Sequence, residues 1–186
     1  MKPWKVLSER QVYEGWRPVF QRTYAHPRLG EATVDISGKK AEQDANMIAL
    51  DKDGMVIVGR QFRCGPEKVM DELPGGQVDQ GETPLHAAIR ELAEEVGYKP
   101  GAIEELGFTH RDAWRDSVSH YFLAIDCEPL DEITHSHDDF EVIEVQKISI
   151  AELINNAKSG HMTDAGGILL AYDKLKELEK KYETTN

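Results

Sequence analysis

The sequence predicts an α/β domain with a mixed sheet, and three observations support that prediction. A hairpin signal lies in the first third of the chain, a capped helix lies between strand-like segments, and an amphipathic helix lies near the C-terminus. Strands on both sides of an internal helix are typical of a sheet covered by helices. The length of 186 residues is that of one ordinary domain, so we expect a single core.

The first 40 residues are predicted to form short antiparallel strands. Aromatic and β-branched residues alternate with turn residues between Trp4 and Ile36. We interpret residues 1–40 as an N-terminal β arm and residues 41–186 as the main domain.

Two apolar runs, residues 47–50 and 55–58, flank the turn Asp51-Lys52-Asp53-Gly54 and predict a β-hairpin. A calcium loop is excluded because the glycine comes too early and the distal glutamate is missing. We therefore interpret residues 51–54 as a turn.

Thr83 and Pro84 have the types expected of an N-cap and a first helical residue, and Gly97 has that of the residue after a helix. This predicts a helix over Pro84–Val96. Its apolar residues at helical spacing predict one buried stripe: Leu85, Ile89, Leu92 and Val96.

The second half of the chain alternates strand and helix signals. Ser149 and Glu152 have the spacing of a capping box and open a short helix. A final amphipathic helix is predicted over residues 164–181, with an apolar set of Ile168, Leu169, Tyr172, Leu175 and Leu178. Strands are predicted at residues 107–110, 120–126 and 142–148.

Composition excludes several classes of protein. The formal charge of −12 disfavours nucleic acid as a partner, since it would repel a phosphate backbone. No run of about 18 apolar residues predicts a membrane span, and the start lacks the apolar stretch of a secretory signal. We therefore expect a cytoplasmic protein. Cys64 and Cys127 lack zinc-site spacing, and we expect two reduced thiols.

The predicted helix concentrates acidic side chains along one edge. Glu91 and Glu95 lie four residues apart, with Glu94 beside them. Like charges at this spacing destabilise a bare helix, whereas Mg²⁺ or Mn²⁺ prefers such oxygen ligands. The alternative is a solvated acidic face on which Arg90 and Glu94 form a surface ion pair.

Nine fixed positions across this region carry a specific pattern. They are Gly76, Glu82, Arg90, Glu91, Leu92, Glu94, Glu95, Gly97 and Tyr98. With this spacing the chain resembles the Nudix hydrolases, and the resemblance implies an α/β/α sandwich with a loop-helix-loop catalytic motif.

Further segments resemble one branch of that family, the ADP-ribose and nucleoside-diphosphate-sugar pyrophosphatases. These segments are residues 58–63, residues 72–76 and, in the arm, residues 12–15. The resemblance implies a homodimer in which residues 1–40 are exchanged between subunits.

The resemblance also implies a metal site. Glu91 and Glu95 would be the principal Mg²⁺ ligands, with Mn²⁺ as a possible substitute. Glu94 would be a further ligand, bound directly or through a water, and Gly75 would contribute its carbonyl oxygen. Arg90, together with Glu82, would hold the ligand carboxylates in place.

The same resemblance implies substrate contacts. Arg63 would bind the diphosphate, because its planar fork suits phosphate oxygens. Glu72 would contact substrate or serve a structural role, and Asp116 would contact the sugar. Trp16, or less favourably Trp4, would stack on a base or sugar; core or dimer packing is the alternative.

A general base is expected outside the motif, in residues 138–145. Glu141 is the first candidate and Asp139 the second, with a merely solvated acidic loop as the alternative. Residues 110–117 lack the proline-containing turn of the ADP-ribose branch, and Arg111, Trp114 and Arg115 occupy this loop instead. This departure favours activity on a broader range of nucleotide sugars over strict specificity for ADP-ribose.

These inferences predict a Mg²⁺-dependent pyrophosphatase that converts a nucleotide sugar, such as ADP-ribose or GDP-mannose, to nucleoside monophosphate and sugar phosphate. Two alternatives remain at this point. One is hydrolysis of nucleoside triphosphates or dinucleotide polyphosphates, and the other is a sensor that binds a nucleotide sugar without cleaving it.

Overall fold

A computed structural model describes residues 1–131 and 142–185. The chain divides into two compact units. The first comprises Met1–Gln43 and His110–Val118, and the second comprises Asp44–Thr109 and Ser119–Asn186.

The described residues form strands and helices in the following order along the chain: β1 (Val6–Tyr13), β2 (Val19–His26), β3 (Gly30–Asp51), β4 (Val56–Arg63), β5 (Lys68–Glu72), β6 (Gly75–Gln77), α1 (Pro84–Val96), β7 (Tyr98–Lys99), β8 (Ala102–His110), β9 (Arg115–Pro129), β10 (Glu144–Ile148), α2 (Ile150–Ser159) and α3 (Ala165–Thr185).

The first unit contains the antiparallel strands that the N-terminal sequence predicts. β1 pairs with β2, and β2 pairs with residues 30–37 of β3, both antiparallel. Arg22 on β2 holds these strands through two carboxylates, donating to Glu9 on β1 and to Asp116 at 3.0 Å. Every residue of β1 is exposed, including apolar ones, so this strand has an uncovered surface within the described chain.

The second unit buries both faces of its sheet. Successive residues of a strand point to opposite faces, so each strand contributes to two cores. The α1-side core consists of Ala45, Met47, Ala49, Ile57, Ala87, Ala88, Leu92, Val96, Phe122, Ala124 and Cys127. The α3-side core includes Ile48, Leu50, Val56, Val58, Tyr121, Leu123, Leu153, Ile168, Leu175 and Leu178. The predicted α/β/α sandwich is therefore confirmed.

Helix α1 begins and ends at the predicted residues. Thr83 Oγ1 accepts a hydrogen bond from the amide of His86 at 3.3 Å, and Gly97 adopts a left-handed φ of 72°. The prediction of the buried stripe is wrong at Leu85, which is 36% exposed, because the small Ala87 and Ala88 face the sheet instead.

Helix α2 has the predicted N-cap, whereas part of the predicted apolar face of α3 is wrong. Ser149 Oγ accepts from the amide of Glu152 at 3.1 Å at the start of α2. On α3, Leu169 is 77% exposed and Tyr172 is 38% exposed, so their predicted place on the apolar face is wrong. The face that packs against the sheet instead carries Ile168, Ala171, Leu175 and Leu178.

The predicted hairpin turn is confirmed between β3 and β4. Asp51 Oδ1 accepts from the amides of Asp53 at 3.0 Å and Met55 at 2.9 Å, and Gly54 has a φ of 79°. The other carboxylate oxygen of Asp51 accepts from Lys147 of β10 at 2.8 Å. One carboxylate oxygen of Asp51 thus holds the turn, and the other connects the turn to β10.

The structure also describes the two cysteines and the apolar character of the helices. Cys64 is exposed, Cys127 is buried, and both thiols are free, as expected. Among the described helices, none combines the length and apolar character that a membrane crossing requires.

Candidate active site

Two glycines bring the acidic edge of α1 against the sheet. In the antiparallel pairing of β3 with β6, Gly76 lies opposite Ala45 and Gly75 lies opposite Asn46. The Glu91 carboxylate lies over Gly76, where an added Cβ would be 2.2 Å from Oε1. Only a residue without a side chain leaves room for the carboxylate at this distance.

Glu95 is fixed by the same short strand. Its Oε2 accepts a hydrogen bond from the Gly75 amide at 2.8 Å. A Cβ on Gly75 would be 2.5 Å from the backbone oxygen of Ala45, so the position also requires glycine on steric grounds. Glu91 therefore lies over Gly76, and Glu95 is bonded to the neighbouring Gly75. The two glutamates are one turn apart on α1.

Arg90 links the acidic side chains to one another. Its Nη1 donates to Glu91 Oε1 at 2.7 Å and to Glu94 Oε2 at 3.1 Å. Its Nε and Nη2 donate to the two oxygens of Glu82, each at 3.2 Å, and Nη2 also donates to the carbonyl of Gln77 at 3.1 Å. The guanidinium therefore balances part of the negative charge that α1 concentrates here.

This pairing changes the acidity of both partners. Hydrogen bonding to Glu82 is the largest influence on Arg90 and raises its pKa above the ordinary value, although burial opposes it. The pKa of Glu82 is lowered, chiefly by the hydrogen bond from Arg90. Both groups are therefore charged at neutral pH, as the ion pair requires.

The residues present fit a hard divalent cation by their chemistry. Glu91, Glu94 and Glu95 offer only carboxylate oxygens, and the glycine pair beneath them has no side chains to fill the space. As placed, the carboxylates turn toward Arg90 and the Gly75 amide, and no three acidic, histidine or cysteine side chains of the described residues cluster as a metal site. Binding would require these carboxylates to exchange hydrogen bonds for metal contacts.

Arg63 and Glu72 form a second charged group at the ends of β4 and β5. Arg63 Nε donates to Glu72 Oε1 at 2.7 Å, and Arg63 Nη2 donates to Oε2. Gln61 Nε2 also approaches Oε2, at 3.4 Å. The Glu72 side chain is only 4% exposed, so it lies beneath the guanidinium and orients it.

Sequence reasoning missed a hydrogen bond that Asp164 accepts. Its Oδ2 accepts from the amide of Leu73 at 3.3 Å, just before the glycine pair. Pro74, next along the chain, accepts from the amide of Met47 through its carbonyl at 2.9 Å. No local pattern could reveal the first contact, because Asp164 lies 91 residues from Leu73.

The remaining predicted site residues lie elsewhere in the chain. Trp16 is 83% exposed and belongs, like Asp116, to the first unit, whereas the glutamates belong to the second. Asp116 accepts from Arg22 at 3.0 Å, and Trp4 packs edge-on against Tyr24. The predicted bases, Glu141 and Asp139, lie outside the described residues.

Comparison with known proteins shows the family to which this chain belongs. The NUDIX domain profile matches residues 41–168, which is more than half of the chain. The chain therefore belongs to the Nudix family and is a Nudix pyrophosphatase, a hydrolase acting on a phosphoric anhydride bond. Divalent metal ions are the general cofactors of this family.

Two curated relatives are similar to this chain over most of its length. The chain is similar to the ADP-ribose pyrophosphatase of Bacillus subtilis (strain 168), with 30% identity over 133 residues, 70% of this chain and 71% of the relative. It is also 30% identical over 188 residues to putative nudix hydrolase 2 of Caenorhabditis elegans, covering 91% and 84% of the two chains.

A solved structure confirms the fold independently of sequence. The crystal structure titled ADP compounds hydrolase superposes with a TM-score of 0.77, covering 95% of this chain and 96% of that one. The identity is 17%, so this likeness concerns the fold alone.

Proposed function

We propose that the enzyme hydrolyses the diphosphate of a nucleoside diphosphate linked to a sugar, with Mg²⁺ as cofactor. The observation that carries the proposal is the acidic edge of α1 held over the Gly75-Gly76 pair. The similarity to a bacterial ADP-ribose pyrophosphatase supports the substrate class. ADP-ribose and other nucleotide sugars are the proposed substrates.

Glu91 and Glu95 would hold the cation, with Glu94 and the Gly75 carbonyl as further ligands. When bound, Mg²⁺ supplies positive charge to the diphosphate and makes a bound water more acidic. Arg90, through its bonds to Glu91 and Glu94, positions these carboxylates and reduces their mutual repulsion.

The reaction adds water across the bridging P–O bond. The water oxygen bonds to one phosphorus, the bridging oxygen leaves with the bond's electron pair, and a proton from the water goes to a base. Nucleoside monophosphate and sugar phosphate are the two products. Arg63, oriented by the buried Glu72, would neutralise charge on the diphosphate, and Glu141 is the proposed base.

The N-terminal strands support a proposal about assembly. We infer that residues 1–40 mediate a homodimer, since β1 exposes apolar side chains at both of its ends. Trp16 and Asp116 are proposed substrate contacts of this first unit. Sedimentation analysis of the whole chain, and of a chain beginning at residue 41, would test the role of these strands.

Product analysis tests the reaction. ADP-ribose, ADP-glucose, GDP-mannose, UDP-glucose and nucleoside triphosphates are incubated with and without Mg²⁺. Nucleoside monophosphate and sugar phosphate are the expected products, and only with the cation. Release of pyrophosphate or polyphosphate from triphosphates instead would overturn the substrate class, and ligand-dependent heat stability without any product would indicate a sensor.

One variant pair tests the acidic edge. Glu95→Gln preserves an acceptor for the Gly75 amide but removes a negative charge, so the fold should persist while kcat/KM falls by about 100-fold or more. Glu177→Gln, at an exposed position on α3, is the matched control and should retain parental activity. An active Glu95→Gln enzyme would remove Glu95 from the metal site.

A further inference from the structure

The chain changes strand partners between β5 and β6, and only two residues make the change. β5, which ends at Glu72, pairs with β4, whereas β6, which begins at Gly75, pairs with β3. Leu73 and Pro74 connect the two strands. Proline has no amide hydrogen, so the Leu73 amide is the one backbone donor of this connection. Leu73 is buried, and a buried amide requires an acceptor.

Asp164 supplies that acceptor from a distant part of the chain. Its Oδ2 accepts from the Leu73 amide at 3.3 Å. The carbonyl of Pro74 accepts from the amide of Met47 on β3 at 2.9 Å. The connection is therefore held at both of its residues, from the start of α3 on one side and from β3 on the other.

The segment between α2 and α3 follows the outer edge of β5. The carbonyl of His161 accepts from the amide of Asp71 at 3.1 Å, and Asp164 accepts from that of Leu73. Asp71 and Leu73 are two residues apart, so their amides point in the same direction, away from β4. The Asp164 carboxylate thus takes the place that a carbonyl of a neighbouring strand would have.

The position of Asp164 is fixed by the packing of α3. Asp164 directly precedes this helix, and its carbonyl accepts from the amide of Gly167 at 2.9 Å. A Cβ on Gly167 would be 2.4 Å from the ring of Tyr121 of β9, so only glycine allows the helix to lie this close to the sheet. Met162 and Ile168, on either side, are buried in the α3-side core. The carboxylate is therefore held by a packed element.

Both halves of the candidate active site lie within two residues of Leu73. On one side, Glu72 accepts from Arg63 and orients its guanidinium. On the other, the Gly75 amide donates to Glu95 at 2.8 Å. A shift of the chain at Leu73 would therefore move both the carboxylate that holds the arginine and the amide that holds the glutamate.

We propose that Asp164 is a positioning residue for the hydrolysis: by holding the Leu73 amide, its carboxylate fixes Gly75 relative to Glu95. The inference rests on the proposed function for the role of Glu95, but not for the hydrogen bonds that connect these residues. A misplacement of about 1 Å at a reacting group costs about 100-fold in rate, so an anchor that acts through the chain has a measurable effect.

Two substitutions at residue 164 separate positioning from a purely structural role. Asp164→Ser keeps a residue type that caps a helix about as well as aspartate, but its hydroxyl is one bond shorter and does not reach the Leu73 amide. Asp164→Asn keeps an oxygen at the same place in the side chain. We expect kcat to fall about 10- to 100-fold in Asp164→Ser and less than about 3-fold in Asp164→Asn.

Amide hydrogen exchange of the metal-free enzyme gives a readout that does not depend on activity. Asp164→Ser should accelerate exchange at Leu73, which loses its acceptor, and at Gly75, two residues away. The buried amide of Leu92 on α1 reports unfolding of the whole domain. Exchange at Leu73 and Gly75 should accelerate about 3- to 10-fold more than exchange at Leu92.

Ser149→Ala is the matched control. It also removes a side-chain acceptor of a backbone amide, since Ser149 Oγ accepts from Glu152 at 3.1 Å at the start of α2. A comparable loss of stability is expected, with parental kcat and without selective acceleration at Gly75. Thermal unfolding of each variant shows whether it is folded at the assay temperature. If Asp164→Ser is not, Asp164→Glu, which displaces the carboxylate by one methylene, takes its place with the same expectations.

Three results would overturn the proposal. They are parental kcat in folded Asp164→Ser, an equal loss in Asp164→Ser and Asp164→Asn, and faster exchange at Leu73 with none at Gly75. An equal loss of activity in Ser149→Ala would also overturn it, because lost stability would then explain the effect.

The hydrolysis panel on the parent enzyme decides the proposed function separately. If the parent cleaves nucleotide sugars and Asp164→Ser retains parental kcat, only the positioning role fails. If the parent cleaves triphosphates instead, the proposed substrate class fails, and kcat of the same variants on a triphosphate tests the positioning role with the same expectations.

Discussion

Replacing Gly76 with alanine should separate the position of Glu91 from the stability of the fold. The new Cβ would lie 2.2 Å from Glu91 Oε1 and 2.6 Å from its Cδ. Ordinary contacts of this kind are about 3.4 Å or longer, so the carboxylate must retreat by about 1 Å. A displacement of about 1 Å in a catalytic group costs roughly 100-fold in rate, and we expect kcat/KM to fall by about that factor.

Stability should change little in Gly76→Ala, because the atoms displaced are the far end of a flexible side chain. Gly75→Ala offers the contrast, since its Cβ would meet the backbone oxygen of Ala45 at 2.5 Å and must shift the strand. Gly65→Ala is the matched control, because an added Cβ there meets nothing within 4 Å.

The assay is steady-state hydrolysis of the best nucleotide sugar at several Mg²⁺ concentrations, with thermal unfolding of each variant. The expected result is a loss of activity without loss of stability in Gly76→Ala, a loss of stability in Gly75→Ala, and neither in Gly65→Ala. A Gly76→Ala enzyme within 3-fold of the parent, with the same Mg²⁺ dependence, would refute the role given to Glu91.

Three further predictions concern stability and reactivity. Burial raises the pKa of Asp51, but the hydrogen bond from Lys147 and the turn amides outweigh it, so the pKa lies below its ordinary value. Lys147→Met should therefore cost about 1 kcal/mol in urea unfolding at pH 7, with the difference from the parent vanishing as the pH falls below about 4. Burial raises the pKa of Cys127 to about 11, so a thiol reagent at pH 8 should label the exposed Cys64 alone in the native protein and both thiols in denaturant. Thr83→Ala removes the cap of α1 and should lower the free energy of unfolding by about 1 kcal/mol in chemical denaturation, whereas no measurable change would contradict the cap.

Local signals in the sequence predicted the parts of the fold that local interactions determine. Thr83 and Gly97 cap the two ends of α1 through hydrogen bonds to residues at most five positions away, and the structure has both caps as expected. The turn after Asp51 is likewise held by its own carboxylate. The acidic edge of α1 follows from the same helix, since spacing alone places Glu91 and Glu95 one turn apart.

Contacts between distant segments were not predictable in this way. Periodicity identified an apolar stripe on α1 but not which side approaches the sheet, and the small Ala87 and Ala88 decide this by allowing close packing. The hydrogen bond from the Leu73 amide to Asp164 depends on tertiary structure, because the two residues are 91 positions apart in the sequence.

The last helix sets a practical boundary for anyone shortening this protein. The family profile ends at residue 168, yet Ala171, Leu175 and Leu178 complete the α3-side core beyond it. A fragment trimmed to the matched segment would expose that apolar surface to water and would be expected to aggregate rather than catalyse. Expression should therefore extend through the whole of α3.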